Sequence, residues 1–257
     1  MAKYRAIPEF YDAEYEHQDF LDRDVPFFLK HLKRRQSVLE LAVGTGRAAI
    51  PIAQAGHSVV GIDHHPGMLR LAKQKRDSVG LKAEELELLE ADILTMNLRR
   101  KFDWVCLLFN TFLLFTTLQE QDRALQNIRR HLKASGRLWL DIFNPDPALL
   151  AEKESKNHDP KTFYVPQFDR TVFRSVDIRR NPAAQVQRIT FNYIWFDQQG
   201  QQKHQRREFD LTFIFPRELQ ILLERNGLKI EHLYGNHDGS KLTSDSPRMI
   251  ACCKLLK

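Results

Sequence analysis

A chain of 257 residues that is 42% hydrophobic can bury one large core, or one core with a sizeable insertion. Its longest apolar stretch, residues 104–115, is interrupted by Asn110 and Thr111 and is too short to span a bilayer; the first twenty residues hold no apolar run of the secretory kind, so a cytoplasmic protein is expected. The net charge of +6 permits an acidic partner, but the cations fall into small separate groups at 33–35, 99–101, 179–180 and 203–207, so nucleic acid is not an expected partner.

In chain order, SVLELA (37–42) reads as a first strand, AAIPIAQAG as a helix closed by Gly56, and HSVVGID (57–63) as a second strand. PGMLRLAKQKRDS (66–78) repeats Met68, Leu69 and Ala72 at helical spacing and begins with proline, whose missing N–H costs nothing in a first turn. LELLEAD (86–92) and FDWVCLLFN (102–110) are strands three and four. QEQDRALQNIRRHLKASG (119–136) is an amphipathic helix with Gly136 expected past its end, and RLWLDIF (137–143) is strand five.

After Phe143 the pattern changes. Residues 144–162, rich in Pro, Asp, Lys and Asn, suit a connection or a short surface helix. The runs at 170–178, 187–197 and 207–215 alternate with period two, and the turn DQQGQQ should pair the last two as a hairpin. Ile189, Phe191, Tyr193 and Trp195 share one face. Helix returns at 216–227 and strands at 229–235 and 248–256. The expected fold is α/β, a doubly wound, Rossmann-like, mostly parallel sheet with an antiparallel β insertion. Its parts are an N-terminal helical segment at 1–35, a core at 36–143 and 216–257, and the β insertion at 144–215.

VLELAVGTGRAAI (38–50) carries Gly44-x-Gly46-x-x-Ala49, which satisfies a dinucleotide fingerprint, with Glu40 four residues before the first glycine. Glycines between a first strand and its helix let backbone approach a ligand. A pyrophosphate would sit on the helix N-terminus, and an acid there would oppose it; Glu40 suits a cation. Asp63, at the end of strand two, can accept both ribose hydroxyls and serves either cofactor. Asp92 can take the adenine amino group while Ile93 offers an N–H and an apolar wall, and Met68 can pack on the adenine face. Each also has an ordinary reading: Glu40 facing solvent, Asp63 capping the helix near Pro66, Asp92 holding a turn. Cys106, Cys252 and Cys253 lie in apolar runs without metal-ligand spacing and are expected to be inert, with no metal bound.

Taken together, LELAVGTGR, GIDHHPGML and EADIL resemble the class I S-adenosylmethionine-dependent methyltransferases over about residues 37–143, and the resemblance resumes in the last helix and strands. The family's loop is commonly acid-x-G-x-G-x-G; here Ala42 replaces the first glycine. The resemblance implies Glu40 near the methionine amino group, Gly44 and Gly46 beneath the ligand, Asp63 on the ribose, Asp92 at the adenine, and Asn110 facing donor and acceptor. The expected cofactor contacts are Glu40, Ala42, Gly44, Gly46, Arg47, Asp63, His64, Met68, Asp92, Ile93 and Asn110, with S-adenosylmethionine as cofactor and S-adenosylhomocysteine as product.

Methyl transfer from a sulfonium needs in-line approach more than it needs a base. If a base acts, a His, Tyr or carboxylate is expected, and FYDAEYEHQDF offers Tyr11, Asp12, Tyr15 and His17. Such a segment in the family often folds over the donor as a lid, although Tyr11 and Tyr15, four apart, equally suit plain packing on a core. The β insertion resembles the antiparallel cap that some members carry over the active site. The late stretch YGNHDGSKLTSDSPRMI resembles the closing loop of sugar N,N-dimethyltransferases and glycine-type N-methyltransferases. There His237 and Asp238 either line an acceptor pocket or make a polar turn. The expected catalytic group is Tyr11, Tyr15, Asn110 and His237, acting on a small-molecule acceptor, with nitrogen ahead of oxygen or carbon, in a monomer or homodimer. The rivals are an RNA or protein methyltransferase, favoured by the basic charge, a nicotinamide-dependent reductase, and a donor-binding regulator without catalysis.

Overall fold

The computed structural model describes residues 7–16 and 19–256, without the side chains of 19 and 20. In chain order the elements are α1 (Pro8–Tyr15), α2 (Asp19–Leu29), β1 (Ser37–Leu41), α3 (Ala49–Gln54), β2 (Ser58–Asp63), α4 (Pro66–Ser78), β3 (Leu86–Glu90), β4 (Phe102–Leu107), α5 (Leu118–Arg130) and β5 (Leu132–Phe143). They continue as α6 (Pro147–Ala151), β6 (Glu154–Val165), β7 (Arg170–Asn181), β8 (Val186–Phe196), β9 (Gln202–Thr212), α7 (Pro216–Arg225), β10 (Leu228–Tyr234) and β11 (Arg248–Leu255). The chain divides into two compact units. One holds residues 18–112, 117–144 and 215–257; the other holds 1–17, 113–116 and 145–214.

The larger unit is built on a seven-stranded sheet in the order β10-β11-β5-β4-β1-β2-β3. Strands β1 to β5 run parallel; β11 is antiparallel to β5, and β10 to β11. The central strands are apolar because helices cover both faces, and Val38, Leu39, Val105, Cys106, Leu138 and Leu140 are fully buried. The helices start where local chemistry supplies the missing partners. His65 caps α4 by accepting from Gly67 N with Pro66 at the first position, and Thr117 and Glu120 form a reciprocal capping box on α5. The chain passes from β1 to β2 on one side of β1 and returns through β4 on the other, so the strand order reverses between β1 and β4. In open α/β sheets ligands bind at that reversal, outside the carboxyl ends of the strands.

Gly136 does not end α5. The helix stops at Arg130, His131 caps it, and Gly136 lies inside β5, where a Cβ would come within 2.8 Å of the Phe102 carbonyl oxygen. This glycine is required by close backbone approach rather than by a helix stop.

The smaller unit is a four-stranded antiparallel sheet in the order β6-β7-β8-β9. The hairpin through DQQGQQ pairs β8 with β9, and Ile189, Phe191 and Tyr193 are buried on one face. Helix α1 packs on that face. The Phe10 ring lies 6.2, 5.8 and 5.6 Å from those of Phe163, Tyr193 and Trp195, and Glu14 accepts from the Tyr193 hydroxyl at 2.8 Å. The segment expected to be one lid at 1–35 is thus split: α1 belongs to this unit and α2 to the other.

Residues 144–162 were expected to form a connection or short helix. They do contain α6, but from Glu154 they form the edge strand β6. Its first half is mostly exposed, and the inward alternation is confined to its last residues, where Phe163 and Val165 face the core. Pro160 is tolerated because an edge strand has a side without ladder bonds, and Asn157 and Asp159, at φ +49° and +46°, interrupt the register.

Candidate functional site

The turn after β1 is held to the end of β2. Val43 N donates to the Ile62 carbonyl at 2.8 Å and Gly44 N to Asp63 Oδ2 at 2.9 Å. The approach requires glycine at 61, where a Cβ would stand 2.6 Å from Val43 Cγ2. Sequence reading assigned Gly61 no role, since a glycine inside a strand marks close approach only once its neighbour is known. The turn itself runs through positive φ at Ala42 (+57°), Gly44 (+56°) and Gly46 (+83°). Ala42 thus keeps the left-handed backbone of the family's glycine while carrying a Cβ. A Cβ on Gly44 would meet nothing within 4 Å, whereas one on Gly46 would stand 3.1 Å from Ile50 Cδ1. Gly44 faces open space and Gly46 packs on α3.

Glu40 does not face solvent. It is 4% exposed, and its Oε2 is buried without a hydrogen-bond partner among the described residues. Burial pushes its carboxyl up to about 8, against the pull of Arg47 and the Ala49 backbone N–H and with the help of Asp24 and Asp63. Arg47 itself reaches Asp24 on α2: its Nη1 is 2.9 Å from Oδ1, its Nη2 2.5 Å from Oδ2, and Nη1 also donates to the Leu21 carbonyl at 3.1 Å. Expected as a cofactor contact, Arg47 ties α2 to the glycine turn. Asp24, 2% exposed, carried no sequence signal of this role.

Asp63 accepts from Gly44 N through Oδ2 and from His65 N, at 2.8 Å, through Oδ1. The cap of α4 is His65 and not Asp63. A carboxylate offers about four acceptor positions, so both oxygens keep capacity for a diol. His64 is largely solvent-facing, with Nδ1 3.6 Å from Asp63 Oδ1. Met68 is buried in the first turn of α4. Asp92 does hold a turn: Oδ1 accepts from Leu94 N at 2.7 Å, and its carbonyl from Met96 N at 2.8 Å. Beside it Ile93 is buried, its carbonyl accepting from Asn127 Nδ2 at 3.0 Å.

Beyond β4 the backbone is strained. Phe109 and Asn110 take φ of +53° and +63°, and a bulky residue there is a true outlier. The pair is held because Asn110 N donates to the Asp141 carbonyl at 3.1 Å while Asn110 Oδ1 accepts from Phe143 N at 2.8 Å. Asn110 Oδ1 is therefore committed to backbone, which leaves the amide NH2 as its side-chain donor. The Asp141 side chain bonds His237 Nε2 at 2.8 Å and Arg248 Nε and Nη2 at 2.9 and 2.6 Å. Burial works against the Asp141 charge, yet Arg248 and His237 hold its carboxyl below the ordinary range. His237 is no surface turn residue; it is 5% exposed. Because β10 runs parallel to β5, its loop emerges at the same sheet edge as Asn110 and the glycine turn.

Ala42, Gly44 and Gly46 thus lie in one turn between Glu40 of β1 and Asp63 at the end of β2, while Asn110 and His237 meet through Asp141. Tyr11 and Tyr15 belong to the other unit, where their ring centroids lie 4.9 Å apart with the planes tilted by 55°. His17 lies outside the described residues. No cluster of three or more metal-ligating side chains occurs among the described residues. The three cysteines are buried and free; burial raises all three thiols, that of Cys252 to about 12.

A Rossmann-like sheet with a buried acid before the glycine turn at its reversal, and carboxylates at the ends of β2 and β3, is the layout in which open α/β sheets bind nucleoside ligands. Residues 38–136, under half of the chain, match the methyltransferase-domain family. Over 111 residues the chain is 33% identical to the cypemycin N-terminal methyltransferase of a Streptomyces species, covering 43% of each chain. The chain thus spans under half the length of that curated relative. Among solved structures it resembles the CcbJ methyltransferase of Streptomyces caelestis (TM-score 0.78, 20% identity, 96% of both chains). It also resembles the sugar N-methyltransferase KedS8 of a Streptoalloteichus species (TM-score 0.74, 22% identity, 100% of this chain and 95% of that one). At such identities these likenesses establish the fold.

Proposed function

We propose that this chain transfers a methyl group from S-adenosylmethionine to a small-molecule acceptor, a nitrogen in preference to oxygen or carbon. The observation that carries the cofactor is Glu40. A buried carboxyl with a bare oxygen under the glycine turn awaits a cation and would repel a pyrophosphate, which speaks against a nicotinamide cofactor. S-adenosylmethionine, when bound, supplies a methyl group made electrophilic by a sulfonium. Glu40 pairs with its amino group, the bare Gly44 backbone admits the ligand, Asp63 accepts the ribose hydroxyls, and Asp92 with Met68 receives the adenine. Asn110 aims its amide NH2 at the reacting end. The nitrogen preference is supported by a relative and a neighbour described as N-methyltransferases.

One observation favours a large acidic acceptor. Arg99, Arg100, Lys101, Arg123 and Arg130, dispersed in sequence, line a single cleft of about 800 Å³. Of these, Arg100 is paired, with Glu87.

Isothermal titration with S-adenosylmethionine, S-adenosylhomocysteine and NADH tests the cofactor, and a tritium-transfer screen over amines, alcohols and transfer RNA tests the acceptor. Binding of both sulfur compounds but not NADH, with transfer to an amine, is expected. NADH binding overturns the cofactor reading, and transfer to RNA alone overturns the small-molecule reading.

A further inference from the structure

At the edge shared by β5, β10 and β11, the trio Asp141, Arg248 and His237 leaves one atom without a partner. His237 Nδ1 is buried and makes no hydrogen bond among the described residues, although the ring is held on its other side by Asp141 Oδ2 at 2.8 Å. A buried bare ring nitrogen is costly unless a ligand satisfies it. It is not a loosely placed group. The loop is pinned by Gly235 N to the Ser240 carbonyl at 2.8 Å, by Arg248 N to the Gly235 carbonyl at 3.1 Å, and by His237 N to Asn236 Oδ1 at 2.8 Å. From α2, the Phe27 ring stands 6.4 Å from the imidazole, edge to face.

The trio also decides which nitrogen bears the proton. Asp141, held as a carboxylate by Arg248, only accepts hydrogen bonds, so His237 Nε2 must donate. Arg248 and Asp141 cancel each other's charge, and a neutral imidazole leaves this buried cluster uncharged. In the neutral ring with Nε2–H, Nδ1 carries the lone pair.

Building on the methyltransferase reading, we propose that His237 Nδ1 binds the methyl acceptor through an N–H or O–H of the acceptor atom and takes that proton as the methyl arrives, with Asp141 and Arg248 as positioning residues. The acceptor lone pair forms the new bond to the methyl carbon, the carbon–sulfur bond breaks with its electrons going to sulfur, and the acceptor's proton goes to Nδ1. The site therefore selects primary or secondary amines, or alcohols. A tertiary amine has no proton to give when it attacks and finds no partner at Nδ1.

The test begins with the wild-type protein labelled with 15N-histidine, whose long-range ring couplings report the tautomer without any substrate. The expected result is Nε2–H with a bare Nδ1 at His237; a protonated Nδ1 overturns the proposal. Asp141→Asn offers an amide N–H to Nε2 and should turn the ring over to the Nδ1–H form. Its turnover of the best amine or alcohol should fall about 100-fold or more, as for loss of a proton acceptor, while S-adenosylhomocysteine affinity stays within about threefold of wild type, well below a tenfold step. Unchanged turnover in a variant with the inverted ring, or equal turnover of matched secondary and tertiary amines, overturns the proposal. If wild type binds neither S-adenosylmethionine nor S-adenosylhomocysteine, the methyltransferase reading fails instead, whatever the tautomer. The wild-type spectrum keeps the proposal falsifiable even if Asp141→Asn does not fold.

Discussion

Arg47 closes on Asp24 through both guanidinium ends, at 2.9 and 2.5 Å, and so fastens helix α2 to the glycine turn after β1. The carboxylate is 2% exposed and the guanidinium 27%, so removing the cation strands a buried charge. Arg47→Met should cost about 2–3 kcal/mol, below the 3–5 of a fully buried pair because the guanidinium keeps solvent contact. Urea denaturation with tryptophan fluorescence reads it; a loss under about 0.5 kcal/mol, the size of an ordinary surface change, would show that the pair is worth no more than a surface one.

Ala42 holds a left-handed backbone that alanine adopts at a cost. Ala42→Gly relieves it, and the net gain should be about 0.5–1 kcal/mol after the glycine's larger unfolded-state entropy is counted. Calorimetry should show a Tm rise of a few degrees at most for a chain of this size. A lower Tm would mean that the Ala42 methyl contributes packing that outweighs the strain.

The pH dependence of stability should carry the mark of Glu40. Its folded pKa, about 8, lies above the ordinary carboxyl value of 4.5. The folded state therefore holds a proton that the unfolded state releases, and this contribution is fully present below pH 4.5, declines as pH rises, and is gone above about 8. The slope reaches at most about 1.4 kcal/mol per pH unit. Glu40→Gln should flatten the ligand-free stability profile between pH 5 and 8, a window set by that shift, and raise stability at pH 8. Denaturation midpoints at four pH values decide it. The same variant should lose S-adenosylmethionine affinity, since the cation would meet no charge.

Gly61→Ala places a methyl 2.6 Å from Val43 Cγ2 and 3.0 Å from Leu88 Cδ2. Overpacking of this kind costs about 1–3 kcal/mol. Because Val43 sits in the glycine turn, S-adenosylhomocysteine binding should weaken with it. Titration showing unchanged affinity would mean that the turn shifts without disturbing its ligand face.

What the sequence determined by itself was local. Periodicity marked β1 to β4 and α3 to α4, because a strand or helix that buries one face must repeat its apolar residues every two or about 3.6 positions. The spacing of Glu40, Gly44, Gly46, Asp63 and Asp92 put these residues at or just beyond the ends of β1, β2 and β3, and parallel strands bring such ends to one edge. Tertiary structure decided the rest. Strand β6 escaped because its first half is exposed and only Phe163 and Val165 near its end face the core, too short a run to mark alternation. Asp24 met Arg47 across 23 residues, and Asp141 met His237 across 96 and Arg248 across 107. Such pairings follow from sheet order and register, which no short window contains. They alone turn an aspartate in a strand and a histidine in a loop into an oriented ring with one nitrogen bare.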